Sequence, residues 1–120
     1  ALYGAPGGQP PPPPPPPPPG NETTDTRSGS VAYRQLVQVA SYNVKAGTNF
    51  TVTMTGTGDP DLYVRWSNAP TTNTYNCRPF LNGASEQCAR TVPTGATTAY
   101  VAVRGYTAGT YNLTIKYTAP

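Results

Sequence analysis

The chain has 120 residues, 11% of them charged, with no histidine, two cysteines, nine tyrosines and a formal charge of +3. Without histidine, no Ser-His-Asp or Cys-His catalytic arrangement can form. The eight basic residues (Arg27, Arg34, Lys45, Arg65, Arg78, Arg90, Arg104 and Lys116) never stand closer than seven positions, so no basic run marks a nucleic-acid partner, and no uninterrupted apolar stretch marks a membrane span.

Residues 1–9 read as the frayed end of a preceding domain or a linker. Pro10 to Pro19 form an unbroken run of ten prolines. Proline donates no backbone hydrogen bond, so this run is excluded from helices and interior strands. At about 3.1 Å per residue, a polyproline II rod of roughly 30 Å is expected, a spacer for a C-terminal module. The polar lead-in that follows completes a linker over 10–29, and the globular domain spans 30–120.

Within the domain, Leu36, Val37, Val39 and Val44 precede a turn at Lys45-Ala46-Gly47-Thr48-Asn49. Phe50, Val52 and Met54 then alternate with Thr51, Thr53 and Thr55, the signature of a half-buried strand. After Gly58-Asp59-Pro60, residues Leu62, Val64 and Trp66 alternate with Tyr63 and Arg65. A polar loop covers 67–76. Cys77 and Cys88 bracket an excursion and read as one disulfide worth about 2–3 kcal/mol. A zinc site would need two further ligands in a chain without histidine. Val101 and Val103, then Leu113 and Ile115, mark two more strands. No helical period is sustained. The fold class is all-β, an antiparallel sandwich or barrel, and with one face of each strand apolar a β-sandwich is expected. Its predicted core is Leu36, Val39, Phe50, Val52, Met54, Leu62, Val64, Trp66, Val101, Val103, Leu113 and Ile115, with Tyr111 and Tyr117 in the core or at its edge.

The strings Gly58-Asp59-Pro60-Asp61-Leu62-Tyr63-Val64-Arg65-Trp66, Tyr75-Asn76-Cys77-Arg78-Pro79-Phe80-Leu81-Asn82-Gly83, Ser85-Glu86-Gln87-Cys88 and Tyr100-Val101-Ala102-Val103-Arg104-Gly105-Tyr106 together resemble the bacterial pre-peptidase C-terminal domain. The resemblance covers about residues 30 to 118. It implies a jelly-roll-like sandwich attached to secreted bacterial hydrolases, most often peptidases, and similar in architecture to the collagen-binding domains of clostridial collagenases. Some such domains bind insoluble polymers, some bind calcium through an acidic lead-in, and many are removed after secretion.

Candidate chemistry is sparse. Asp59 and Asp61 flank Pro60 and read as a turn whose carboxylates cap backbone amides, or else as ligands for a hard cation. Glu22 and Asp25 are the acidic residues of the lead-in and the other candidates for a possible calcium ion. Gly83-Ala84-Ser85-Glu86-Gln87 approaches a nucleophile elbow and fails at its last position. Three glycosylation sequons, beginning at Asn21, Asn49 and Asn112, are the chance yield of a Thr-rich chain. Exposed tyrosines stack on sugar or prolyl rings while their hydroxyls find polar partners. Tyr63, Arg65, Tyr100 and Arg104 fall opposite the core faces of their strands, and Tyr75 and Tyr106 lie at turns, so these six are the expected ligand-binding residues. The expected function is a monomeric, non-catalytic accessory module of a secreted bacterial hydrolase, binding chitin, another polysaccharide or collagen. The alternative is a secretion, folding or stability appendage that is cut away and binds nothing.

Overall fold

The computed structural model describes residues 22–120. The proline run and residues 1–9 lie outside the described residues, as does the expectation of a rigid rod. Seven strands follow in order: β1 (Glu22–Val31), β2 (Leu36–Asn43), β3 (Asn49–Thr57), β4 (Pro60–Trp66), β5 (Glu86–Thr91), β6 (Thr98–Gly105) and β7 (Gly109–Thr118). One sheet has the order β1-β7-β3-β5 and the other β2-β6-β4. Every strand pair is antiparallel. The two sheets pack face to face as a sandwich.

β3 follows the alternation of its sequence. Phe50, Val52 and Met54 are at most 1% exposed, while Thr53 and Thr55 face solvent. Leu62, Val64, Val101, Val103, Leu113 and Ile115 complete the buried set. Each such side chain contributes about 1.5–3 kcal/mol of burial. Tyr111 is buried with them, and Tyr117 and Trp66 are half-buried against them. Trp66 meets Phe50 edge-on at 5.6 Å, and Tyr42 lies 4.7 Å from Tyr117.

Two expectations change. Leu36 is half-buried and outside the core cluster. A β-bulge between Gln38 and Ala40 is the reason. Before it Val37 pairs with Val103 and faces the core; after it Ala40 pairs with Val101 and Tyr42 with Ala99. One extra residue inverts the parity of the strand. Leu36 therefore falls opposite Arg104 on the outer face, and Tyr42 is buried. The second change is the polar lead-in. Residues 22–31 form β1 and pair with β7 along their whole length, from Glu22 opposite Thr118 to Val31 opposite Gly109. Only Val31 is fully buried, so the strand carries no apolar alternation to read.

The segment after β4 doubles back beside it. Val64 exchanges backbone hydrogen bonds with Cys77 at 2.9 and 3.0 Å, which covers the free edge of β4. The Cys77–Cys88 disulfide then ties this segment to β5 of the opposite sheet, with a Cα–Cα distance of 6.1 Å.

Candidate functional site

Alternation places Asp61, Tyr63 and Arg65 on the outer face of β4. A sheet face is solvated only if nothing lies over it. Here residues 67–85 fold across it, and Tyr63 is 1% exposed, not the surface residue that alternation predicts. Arg78 Nη1 donates to Tyr63 Oη at 3.4 Å, and the Tyr75 ring meets the Tyr63 ring edge-on at 5.5 Å. Tyr63 thus supports the covering segment and contacts no solvent.

The exposed face is one layer further out. The Arg78 guanidinium lies 3.9 Å from the Phe80 ring centroid and 5.0 Å from that of Tyr75. This arrangement holds a cation against aromatic faces and fixes all three side chains. Phe80 packs edge-on against Tyr106 at 6.5 Å. Tyr106 in turn borders a surface pocket of about 310 Å³ lined by Tyr33, Arg34, Arg104, Tyr106 and Thr107. Tyr33, Phe80, Leu81 and Tyr106 are each more than half exposed, which makes this end of the molecule an unusual concentration of apolar surface.

Two residues of this face have left-handed backbone, Arg34 at φ 63° and Phe80 at φ 55°. Side chains other than glycine rarely adopt that region, and a bulky one there marks strain held in place by its surroundings. For Arg34 the restraint is visible. Its N–H donates to the Gly105 carbonyl at 2.6 Å, and the Gly105 N–H donates to the Gln35 carbonyl at 2.9 Å. A Cβ on Gly105 would run into the Ala32 carbonyl, so only glycine admits this close approach.

Of the six expected binding residues, the structure brings Tyr75, Arg104 and Tyr106 to this face, with Tyr63 beneath it. Arg65 and Tyr100 pair opposite each other four residues further along β4 and β6, about 13 Å away. Arg65 is half-buried and donates to the Ala69 carbonyl at 3.1 Å. Tyr33, Arg34, Arg78 and Phe80 were not expected from strand parity because none lies on a strand. Their sequence signal is an arginine next to, or one residue from, an aromatic in a loop.

The carboxylates fall in two places. On β1, Glu22 is exposed, and Asp25 Oδ2 accepts from Arg27 Nε at 3.0 Å and Tyr42 Oη at 2.8 Å. At the β3–β4 turn, the Asp59 N–H donates to Thr107 Oγ1 at 3.1 Å. Asp61 and Glu86 are buried together. Glu86 Oε1 accepts from the Leu62 N–H at 2.7 Å and Oε2 from the Leu81 N–H at 3.0 Å, pinning the excursion to β4. Burial, opposed by these two bonds and reinforced by Asp61, pushes the Glu86 carboxyl up to about 7. Burial also raises Asp61, against the hydrogen bond it shares with Glu86. Among the described residues, no three Asp, Glu, Cys or His side chains gather to hold a metal ion.

Residues 37–116 match the family model described as the bacterial pre-peptidase C-terminal domain. The chain is 51% identical over 51 residues to the neutral protease of Vibrio proteolyticus, covering 42% of this chain and 8% of that protein. It is 37% identical over 82 residues to the virulence metalloprotease of Vibrio anguillarum, covering 68% of this chain and 12% of that protein. The chain therefore corresponds to a small part of each protease. In fold it is similar to PliG, a periplasmic inhibitor of g-type lysozyme from Aeromonas hydrophila, with a TM-score of 0.63 over 77% of this chain and 83% of that one, at 16% identity.

Proposed function

Because this chain belongs to the bacterial pre-peptidase C-terminal domain family, we propose that it is a non-catalytic accessory module of a secreted bacterial protease and holds that enzyme on an insoluble polymer. The observation that carries this reading is the row of exposed rings Tyr75, Phe80 and Tyr106, joined through the half-buried Arg78 and a ring contact and fixed by a strained Phe80 backbone. Rigid aromatic faces bind sugar or prolyl rings at little entropic cost. A polymer presents such rings repeatedly, so a weak contact becomes an effective anchor for a linked enzyme. No histidine is available for a nucleophilic centre, and the buried acid pair Asp61–Glu86 has no access to substrate.

The test is retention of the full chain on chitin, cellulose, insoluble β-glucan and fibrillar collagen, each with and without calcium. Retention on one solid is expected, and Phe80→Ala with Tyr106→Ala should abolish it while circular dichroism stays unchanged. No retention on any of these, nor on an acidic polysaccharide gel, would overturn the reading in favour of a secretion or stability appendage.

A further inference from the structure

The pocket beside the aromatic row differs from it in chemistry. Arg34 and Arg104 line it together with Tyr33, Tyr106 and Thr107. Arg104 Nε is buried and has no hydrogen-bond partner. A buried guanidinium N–H without an acceptor is costly, and an incoming oxyanion would satisfy it. Arg34 is held in left-handed backbone by the Gly105 contacts, so its position is imposed by the fold. The opposing charge is limited. Asp61 lies across the strand pair from Arg104, but it is buried and hydrogen-bonded to Glu86. Asp59, at the adjoining turn, has a buried and unpartnered Oδ1. The unpartnered Arg104 Nε and the exposed approach past Arg34 therefore leave room for an added oxyanion. The volume lies at the small end of the roughly 300–1,000 Å³ that ligand sites span, which suits one unit of a polymer.

We propose that the Tyr33–Arg34–Arg104–Tyr106 pocket receives a carboxylate or sulfate carried by a sugar unit, so that the polymer this module holds is an acidic polysaccharide. The proposal rests on the accessory-module reading and specifies its ligand. Tyr33 and Tyr106 flank the sugar ring, and the two arginines take its charged oxygens. A guanidinium fork matches the geometry of both anions, and a planar pair of oxygens is its best partner.

The experiment compares retention of the full chain on cross-linked polygalacturonate, a sulfated dextran gel, cellulose and chitin at 50 and 300 mM NaCl. Retention is expected to be strongest on one of the two acidic gels and to weaken with salt, the arm that binds distinguishing carboxylate from sulfate. Arg34→Gly is the informative variant. Glycine is at ease at φ 63°, so the fold is kept while the guanidinium is lost. It should weaken binding about tenfold, the scale of one charged hydrogen bond. Lys45→Gln, which removes the same charge elsewhere, should change binding less than about twofold. Equal loss in both variants would overturn the proposal, because net charge alone would then explain retention. Retention on cellulose or chitin at least as strong as on the acidic gels would also overturn it, leaving the accessory-module reading intact. No retention on any solid would overturn both.

Discussion

Glu86 carries a proton in the fold at a pH where the unfolded chain has released it. Its carboxyl is raised from an ordinary 4.5 to about 7, chiefly by burial. Between those values the folded state binds more protons than the unfolded one. Stability is therefore complete below about pH 4.5, falls as pH rises towards 7, and levels off above it. Asp61 is displaced in the same direction and adds to the same trend. Glu86 alone accounts for a loss of at most about 3 kcal/mol from pH 5 to 8, at 1.4 kcal/mol per pH unit of displacement. It should appear as a falling urea midpoint. Glu86→Gln should flatten that profile, and should cost about 1–3 kcal/mol at pH 5 because the Leu81 N–H loses its acceptor. A steep profile in the variant would show that another group is responsible. Asp25 illustrates a milder case. Its Oδ2 joins β1 to Tyr42 on the opposite sheet. Tyr42→Phe leaves the ring packing and the Arg27 contact in place, so a loss of about 1 kcal/mol, or roughly 4–8 °C in thermal midpoint, is expected by calorimetry.

At the scale of elements, what could be read from the sequence was what alternates. β3, β4, β6 and β7 each carry apolar residues at every second position, and their inner faces are as expected. β1 was hidden because a strand that hydrogen-bonds fully but buries a single side chain leaves no periodic signal. β2 misled at Leu36 because a bulge moves the parity without changing composition. The site was half legible for a related reason. Parity identifies which side of β4 holds Tyr63, but not that residues 67–85 return to cover it. That excursion also makes the disulfide more than a general staple. Cys77 and Cys88 fix the segment that displays Phe80. Replacing both by serine should cost about 2–3 kcal/mol, the scale for a short loop, seen in thermal unfolding. The Val64–Cys77 backbone bonds and the Glu86 contacts remain. The sheets should therefore persist by circular dichroism at 20 °C while polymer retention falls, because Phe80 loses its imposed backbone. Unchanged retention would separate the disulfide from the binding face.

Across the whole molecule, β1 sets where Glu22 lies relative to the aromatic pocket. Its pairing with β7 draws residues 22–31 into the sandwich, so the backbone of β1 is protected from proteases. Native trypsin should leave the Arg27–Ser28 bond intact, although Arg27 is exposed, because its backbone pairs opposite Leu113. Mass spectrometry of the protected fragment would reveal a cut there if β1 were loosely held. β1 is ten residues long and spans about 33 Å. Glu22 and Thr118 lie side by side at one end, whereas Val31 lies opposite Gly109 at the other. Tyr33 and Arg34 follow Val31 after one intervening residue, and Tyr106 and Thr107 precede β7 with only Ala108 between. Glu22 and Thr118 therefore lie at the end of the sandwich opposite the aromatic pocket. A bulky neighbour joined before Glu22 or after Pro120 leaves the pocket uncovered, which is what an anchor for a linked enzyme requires. A fluorescent protein fused at either place should leave retention within about twofold, since the two sites of attachment share the end remote from the ligand. The same protein inserted between Thr107 and Ala108 enters at an exposed turn, a position that tolerates insertion. It should abolish retention while the sandwich stays folded by near-ultraviolet circular dichroism. If instead the fusion before Glu22 blocked retention and the insertion did not, the contact would lie at the tethered end, and the aromatic face would not be the anchor.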